Sequence, residues 1–154
     1  MLKKVKITSM DLIVQLMKPV IDEGKSVKFT VVGNSMYPVF RDGIENVIMT
    51  KPDRIKRRDV ILYRRESGDY VLHRIIGRGK DGYKLCGDNQ TAVEYPVKSD
   101  NIIAVMTGFE RNGRTVNNDC LWYRLYSVLW CIFIPLRPAM LKTAITLKKI
   151  VKFR

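Results

Sequence analysis

Short blocks of apolar residues, many of them β-branched or aromatic, recur through the middle of the chain and are separated by polar turns. The turns contain Asp-Gly, Asn-Gly and Ser-Gly pairs, and such turn-forming pairs favour short connections between neighbouring strands. The predicted strands occupy residues 26–33, 59–64, 70–76, 83–86, 101–110 and 114–116. Because strands this close together pair with their neighbours, the pattern predicts a mainly β fold, a small antiparallel sheet that bends or closes into a barrel.

Helical spacing replaces the strand pattern at both ends of the chain. Between Met10 and Val20 the apolar residues recur three or four positions apart, which predicts an amphipathic helix within residues 1–25. This segment is not typical of a signal peptide, because polar residues interrupt its apolar stretch. The predicted division is therefore an N-terminal helix at 1–25, a β domain at 26–117 and a helical tail at 118–154.

The tail differs from the rest of the chain in charge. The whole sequence has a formal net charge of +13, and no Asp or Glu occurs between Cys120 and Arg154. The basic residues of this stretch are Arg124, Arg137, Lys142, Lys148, Lys149, Lys152 and Arg154. A stretch of this kind is either solvated or meets an anionic partner, for which a membrane surface is favoured over nucleic acid.

Aromatic residues in the same tail indicate a membrane interface. Trp and Tyr are the types enriched there, and they occur here as Trp122, Tyr123, Tyr126 and Trp130. The uncharged run Leu125–Leu136 is shorter than the roughly 20 residues that a spanning helix needs. The sequence therefore predicts that residues 120–154 lie on a membrane, with a solvated tail as the alternative. The expected location is the cytoplasmic face of a membrane, or else the cytoplasm.

One serine has neighbours that suit either a turn or a nucleophile. Ser35 follows the predicted strand 26–33, with a flexible Gly33 before it and a rigid Pro38 after it. A serine hydroxyl is a weak nucleophile until a base takes its proton, and His73 is the single histidine of the chain. Since His73 follows a predicted hairpin, it can lie beside Ser35. A turn serine and a core histidine remain the alternative.

Other chemistry is not favoured. A single histidine argues against a His-based metal site, and the three cysteines have no metal-ligand spacing. We therefore expect neither a metal nor another cofactor.

Five segments occur in an order that resembles a known group of peptidases. They are GNSMYP at 33–38, IKRRDVILYR at 55–64, YVLHRIIGR at 70–78, KLCGDN at 84–89 and DNIIAVM at 100–106. Together they resemble the signal peptidase I superfamily of serine peptidases, which includes the LexA-type self-cleaving repressors. Because its candidate base is a histidine, the chain resembles the branch of this superfamily that uses histidine rather than lysine. Its layout is also similar to that of small stand-alone peptidase-like proteins of gut anaerobes.

The resemblance implies a fold, an activity and a set of site residues. The fold is the bent β-sheet of the signal peptidase and LexA C-terminal type, and the activity is cleavage of an extended precursor peptide or exported protein. Ser35 matches the nucleophile and His73 the general base. Asp88 is the preferred acid for orienting His73, with Glu94 as the alternative.

The resemblance also implies how the substrate is held. The backbone N–H of Ser35 is expected to donate to the oxyanion. Many relatives supply a second donor from a hydroxyl side chain at the position of Gly33, which glycine cannot provide. The expected walls of the substrate pocket are Phe29, Val31, Met36 and Leu72.

Two other functions are compatible with the sequence. One is a non-catalytic module of the same fold that binds a membrane or nucleic acid. The other is a LexA-type self-cleaving regulator. Against the regulator, the candidate base is a histidine, the chain contains no Ala-Gly dipeptide, and no helix-turn-helix fits before residue 27.

Overall fold

The computed structural model describes residues 10–139. Within this range an eight-stranded antiparallel sheet follows helix α1 and precedes helix α2 in the chain, which confirms the mainly β fold predicted from the sequence. The elements are α1 Met10–Asp22, β1 Val27–Thr30, β2 Asn46–Thr50, β3 Val60–Arg64, β4 Tyr70–Arg78, β5 Tyr83–Cys86, β6 Glu94–Val97, β7 Ile102–Arg111, β8 Arg114–Asn117 and α2 Leu121–Ile132. Short 3-10 turns occupy Ser99–Asn101 and Ile134–Leu136.

The longest strand, β7, organises the sheet. The strand order is β1-β2-β7-β3-β4-β5-β6, so β1 and β6 are the two ends of the order. Along one edge β7 pairs with β2, and along the other it pairs first with β3 and then with β8. The β7–β8 turn contains Asn112 and Gly113, whose φ angles of 51° and 73° lie in the left-handed region that this tight turn requires.

Two apolar clusters cover the two faces of the sheet. Strand β3 contributes to both, because successive side chains of a strand point to opposite faces. Val60 and Leu62 join the larger cluster, which includes α1 and the loop after β1, whereas Ile61 and Tyr63 join the smaller one. The continuous burial of β3 explains why its sequence is apolar without alternation.

Helix α1 lies within the segment predicted to be an amphipathic helix. It buries Val14, Met17 and Ile21 against the larger cluster, at the spacing of one helix face. Residues 1–9 and the last part of the predicted basic tail, from residue 140, lie outside the described residues. In the described part of the chain, none of the helices combines the length and the apolar composition that crossing a bilayer requires.

Candidate active site

Ser35 lies in the loop that connects β1 to β2. Two backbone hydrogen bonds define its turns: the Tyr37 N–H donates to the Asn34 carbonyl at 3.2 Å, and the Phe40 N–H donates to the Met36 carbonyl at 3.0 Å. Met36 and Phe40 are buried in the larger apolar cluster, whereas Ser35 stays half-buried. Met36 and Phe40 therefore anchor the loop in the core, while Ser35 remains partly exposed.

A second turn, residues 87–90, supports Ser35 from the side. The Asn89 N–H donates to the Ser35 carbonyl at 2.8 Å. Gly87 is so close that a Cβ atom there would lie 2.7 Å from the same carbonyl oxygen. Only glycine permits this approach of two backbones. The sequence segment CGDN is therefore part of the support of Ser35.

His73 lies on β4, opposite Ile61 of β3, and its side chain is buried. Its Nδ1 atom is 3.2 Å from Glu94 Oε1 and 3.3 Å from the Tyr63 hydroxyl. Its Nε2 atom is buried and has no hydrogen-bond partner among the described residues. The two ring nitrogens therefore have different surroundings: Nδ1 has polar neighbours, and Nε2 is buried without a hydrogen-bond partner among the described residues.

Arg65 fixes the carboxylate of Glu94. The guanidinium binds it through two nitrogens, with Nε 2.9 Å from Oε2 and Nη2 on Oε1. This hydrogen-bonded pairing with Arg65 is the main cause that lowers the pKa of Glu94, and Tyr63 adds to it. An ionised carboxylate can only accept hydrogen bonds, so Glu94 Oε1 beside Nδ1 favours the tautomer of His73 that carries its hydrogen on Nδ1.

Burial disfavours the positively charged form of His73. It lowers the pKa of the imidazole to about 4, and the Arg65 charge acts in the same direction, while Glu94 opposes both. The ring is therefore neutral at pH 7. With its hydrogen on Nδ1, the neutral ring has a free lone pair on Nε2, the form that a general base requires.

Ser35 and His73 line the same cavity, which has a volume of about 260 Å³. Three of the predicted pocket walls line it too: Phe29, Val31 and Leu72. The other lining residues are Met10, Val32, Arg65, Tyr70, Val71 and Gln90. Met36, predicted as a wall, is instead 1% exposed and lies in the core, because it turns inward where Ser35 faces out.

The structure brings Glu94 to Nδ1 of His73, and not Asp88, the acid preferred from the sequence. Asp88 is buried and binds Arg74 through both oxygens, with Nε 2.8 Å from Oδ1 and Nη2 2.7 Å from Oδ2. The physical reason is strand geometry: His73 and Arg74 are consecutive on β4 and point to opposite faces. Each acid therefore meets a different one of the two residues.

Helix α2 holds the turn at 87–90 from outside. The Trp130 indole N–H donates to the Asp88 carbonyl at 2.9 Å, and the Tyr126 hydroxyl donates to Asp88 Oδ2 at 3.1 Å. The buried Arg137 donates to the carbonyls of Gly87 and Gln90 at 3.0 and 3.2 Å. The predicted tail therefore begins as part of the support for Ser35, a contact that sequence reasoning missed.

Comparison with known proteins adds one relative. No family model matches the chain. Signal peptidase I W from Bacillus subtilis strain 168 is 32% identical over 88 residues, which are 53% of this chain and 46% of that protein. This part of the chain is similar to a signal peptidase I. The chain spans about half the length of the relative, and the similarity supports a signal-peptidase-like relationship.

Proposed function

We propose that the protein is a serine endopeptidase of the signal-peptidase type, with Ser35 as the nucleophile and His73 as the general base. The observation that carries the proposal is the buried imidazole in the cavity of Ser35, with Glu94 Oε1 3.2 Å from Nδ1 and no hydrogen-bond partner on Nε2 among the described residues. The similarity to a signal peptidase supports the same class of reaction.

In the proposed reaction, the Oγ atom of Ser35 attacks the scissile carbonyl while its proton passes to Nε2 of His73. The charge on the resulting imidazolium is stabilised by Glu94, which Arg65 holds in place. The imidazolium then gives the proton to the leaving amine, and an acyl ester remains on Ser35. Water hydrolyses this ester with His73 again as the base.

The walls of the cavity suit an extended peptide with apolar side chains. Strand β1 is an end of the sheet, and its Phe29 lines the cavity together with Leu72 of β4. An extended segment adds to a strand edge through backbone hydrogen bonds, while shallow pockets select its side chains. The proposed substrate is a precursor peptide or an exported protein.

Glu94→Gln is expected to lower the rate of Ser35 acylation by roughly 10³- to 10⁴-fold, since a neutral amide neither fixes the Nδ1 hydrogen nor stabilises the imidazolium. The rate is measured by intact mass with a peptide-based acylating probe. Glu66→Gln, on an exposed glutamate of the β3–β4 turn, is the matched control and is expected to react like the wild type. Equal rates for both variants would remove Glu94 from the mechanism.

The acylation rate is expected to stay level from neutral pH down to about pH 5 and to fall through a midpoint near pH 4. The reason is that His73 acts only when neutral, and burial lowers its pKa to about 4. As the pH falls through that pKa, protonation removes the Nε2 lone pair. Rates measured across this range, with circular dichroism at each pH, test the expectation. A midpoint near the ordinary histidine value of about 6.5 would contradict it.

A further inference from the structure

The outer face of α2 carries apolar side chains that nothing in the described residues covers. Tyr123 and Ser127 are buried towards the sheet, whereas Leu121 on the opposite side is 82% exposed. The exposed apolar residues of α2 and the turn after it are Leu121, Trp122, Leu125, Leu129, Ile132, Phe133 and Leu136. Since many are three or four positions apart, they form one outer apolar stripe. An exposed apolar stripe of this kind indicates an interaction surface.

A basic cavity runs along one side of this outer apolar stripe. It has a volume of about 350 Å³, and its cationic lining residues are Lys56, Arg57, Arg58 and Arg124. Asp59 and Asp119 also line it. Within residues 10–139, none of the four cations forms an ion pair with a carboxylate. With four cations and two carboxylates in its lining, the cavity has a net positive charge.

Helical geometry places the cavity and the outer apolar stripe next to each other. Arg124 and Val128 line the cavity, and each precedes a leucine of the stripe, Leu125 and Leu129. A ligand that covers the stripe therefore reaches the cations as well. Such a ligand must be apolar over one region and anionic beside it.

We infer that α2 docks on the surface of an anionic lipid bilayer, with its outer apolar stripe at the boundary between headgroups and acyl chains and lipid phosphates at the basic cavity. An amphipathic helix with cations beside its apolar face binds membranes in this manner. Helix α2 has 12 residues and lies along the surface rather than through the bilayer.

Charge favours a bilayer over a second copy of the chain. The chain has a formal net charge of +13, and the sequence after Ala139 adds Lys142, Lys148, Lys149, Lys152 and Arg154 without an acidic residue. Two copies joined through this region would bring like charges together, whereas anionic lipid neutralises them. The inference goes beyond the proposed peptidase activity and does not depend on it.

Co-sedimentation of the full chain with vesicles tests the inference. Binding to vesicles of phosphatidylcholine with phosphatidylglycerol is expected to be at least about tenfold stronger than binding to phosphatidylcholine alone. The double variant Leu125→Glu/Leu129→Glu is expected to lower binding at least about tenfold, because it puts charge on the outer apolar stripe. Leu12→Glu/Leu16→Glu, on exposed leucines of α1, is the matched control and is expected to bind like the wild type.

The basic cavity is tested separately. Arg57→Gln/Arg58→Gln is expected to weaken binding to the anionic vesicles by about fivefold for each charge removed, and to leave binding to phosphatidylcholine alone unchanged. Circular dichroism checks that each variant is folded. Acylation of Ser35 by a soluble probe is expected to be unchanged in these variants, so a failure of this inference is distinct from a failure of the proposed function.

Three results would overturn the inference. The first is a wild-type chain that does not sediment with the anionic vesicles. The second is an equal loss of binding in the α1 and α2 variants, which would mean that the outer apolar stripe has no special part. The third is a dimer in light scattering that Leu125→Glu/Leu129→Glu dissociates, which would assign the stripe to a second copy of the chain.

Discussion

Ser35→Ala is expected to abolish covalent labelling by a peptide-based acylating probe, with a loss in rate of about 10⁴- to 10⁶-fold. The fold is expected to survive, because the contact between the loop and the turn at 87–90 uses the Ser35 backbone carbonyl. Among residues 10–139 the Ser35 hydroxyl has no hydrogen-bond partner that alanine would remove. Intact mass reports the adduct, and circular dichroism reports the fold.

The same loss is expected when the base is removed. His73→Gln replaces the imidazole by a neutral side chain of similar length, which limits the hole left in a buried site. For Ser35→Ala, the matched control is Ser99→Ala at an exposed serine, which is expected to be labelled like the wild type. Labelling that needs both Ser35 and His73 is the signature of an activated serine.

Other patterns of labelling would favour the other functions considered from the sequence. A folded wild-type chain that no peptide-based probe labels would favour a non-catalytic binding module. A Ser35-dependent loss of mass on incubation at raised pH would favour a self-cleaving regulator. Labelling that persists in Ser35→Ala would mean that another residue is the nucleophile, and would contradict the proposal directly.

Asp88→Asn is expected to lower the free energy of unfolding by about 3–5 kcal/mol, the largest effect on stability among these changes. Arg74 is fully buried, and Asp88 is its carboxylate partner. Replacing the carboxylate by an amide leaves a buried positive charge without a counterion. Urea unfolding, followed by circular dichroism, gives the difference directly. Asp53→Asn, at an exposed aspartate, is expected to change stability by less than about 0.5 kcal/mol.

The same variant separates the roles of the two acids. At a temperature where it is folded, Asp88→Asn is expected to keep much more acylation activity than Glu94→Gln, because Glu94 is the acid at Nδ1 of His73. The double change Asp88→Leu/Arg74→Met removes both buried charges and is expected to recover part of the lost stability. Asp88→Asn with wild-type stability and no acylation would instead make Asp88 the orienting acid.

Most of the sheet could be predicted because a buried strand requires a run of apolar residues, which is visible in the local sequence. Apolar runs bounded by Gly and Asn identify β4, β5, β7 and β8 within about two residues of their observed ends. The prediction missed β2 and β6. Strand β6 is an end of the sheet and contains an exposed Pro96, which argues against a strand in sequence but is tolerated at an edge.

The sequence could name candidate residues but could not predict the contacts between them. Ser35 and His73 line one cavity, as the resemblance suggested. The choice between Asp88 and Glu94 depends on which face of β4 each acid meets, and a shift of one residue in strand pairing reverses it. The contacts of Arg65 with Glu94, and of Arg137 with the turn at 87–90, join residues far apart in the chain, so local patterns carry no sign of them.

Helix α2 contacts the turn at 87–90 with one side and presents apolar residues on the other. A bilayer bound to the outer side would lie at a constant distance from Ser35, since two hydrogen bonds join α2 to the turn and Arg137, after the helix, adds two more. A peptide bond of a membrane-bound substrate would then reach Ser35 only when its distance from the lipid equals that fixed distance. Selection of cleavage sites would depend on position along the substrate as much as on the side chains beside the bond.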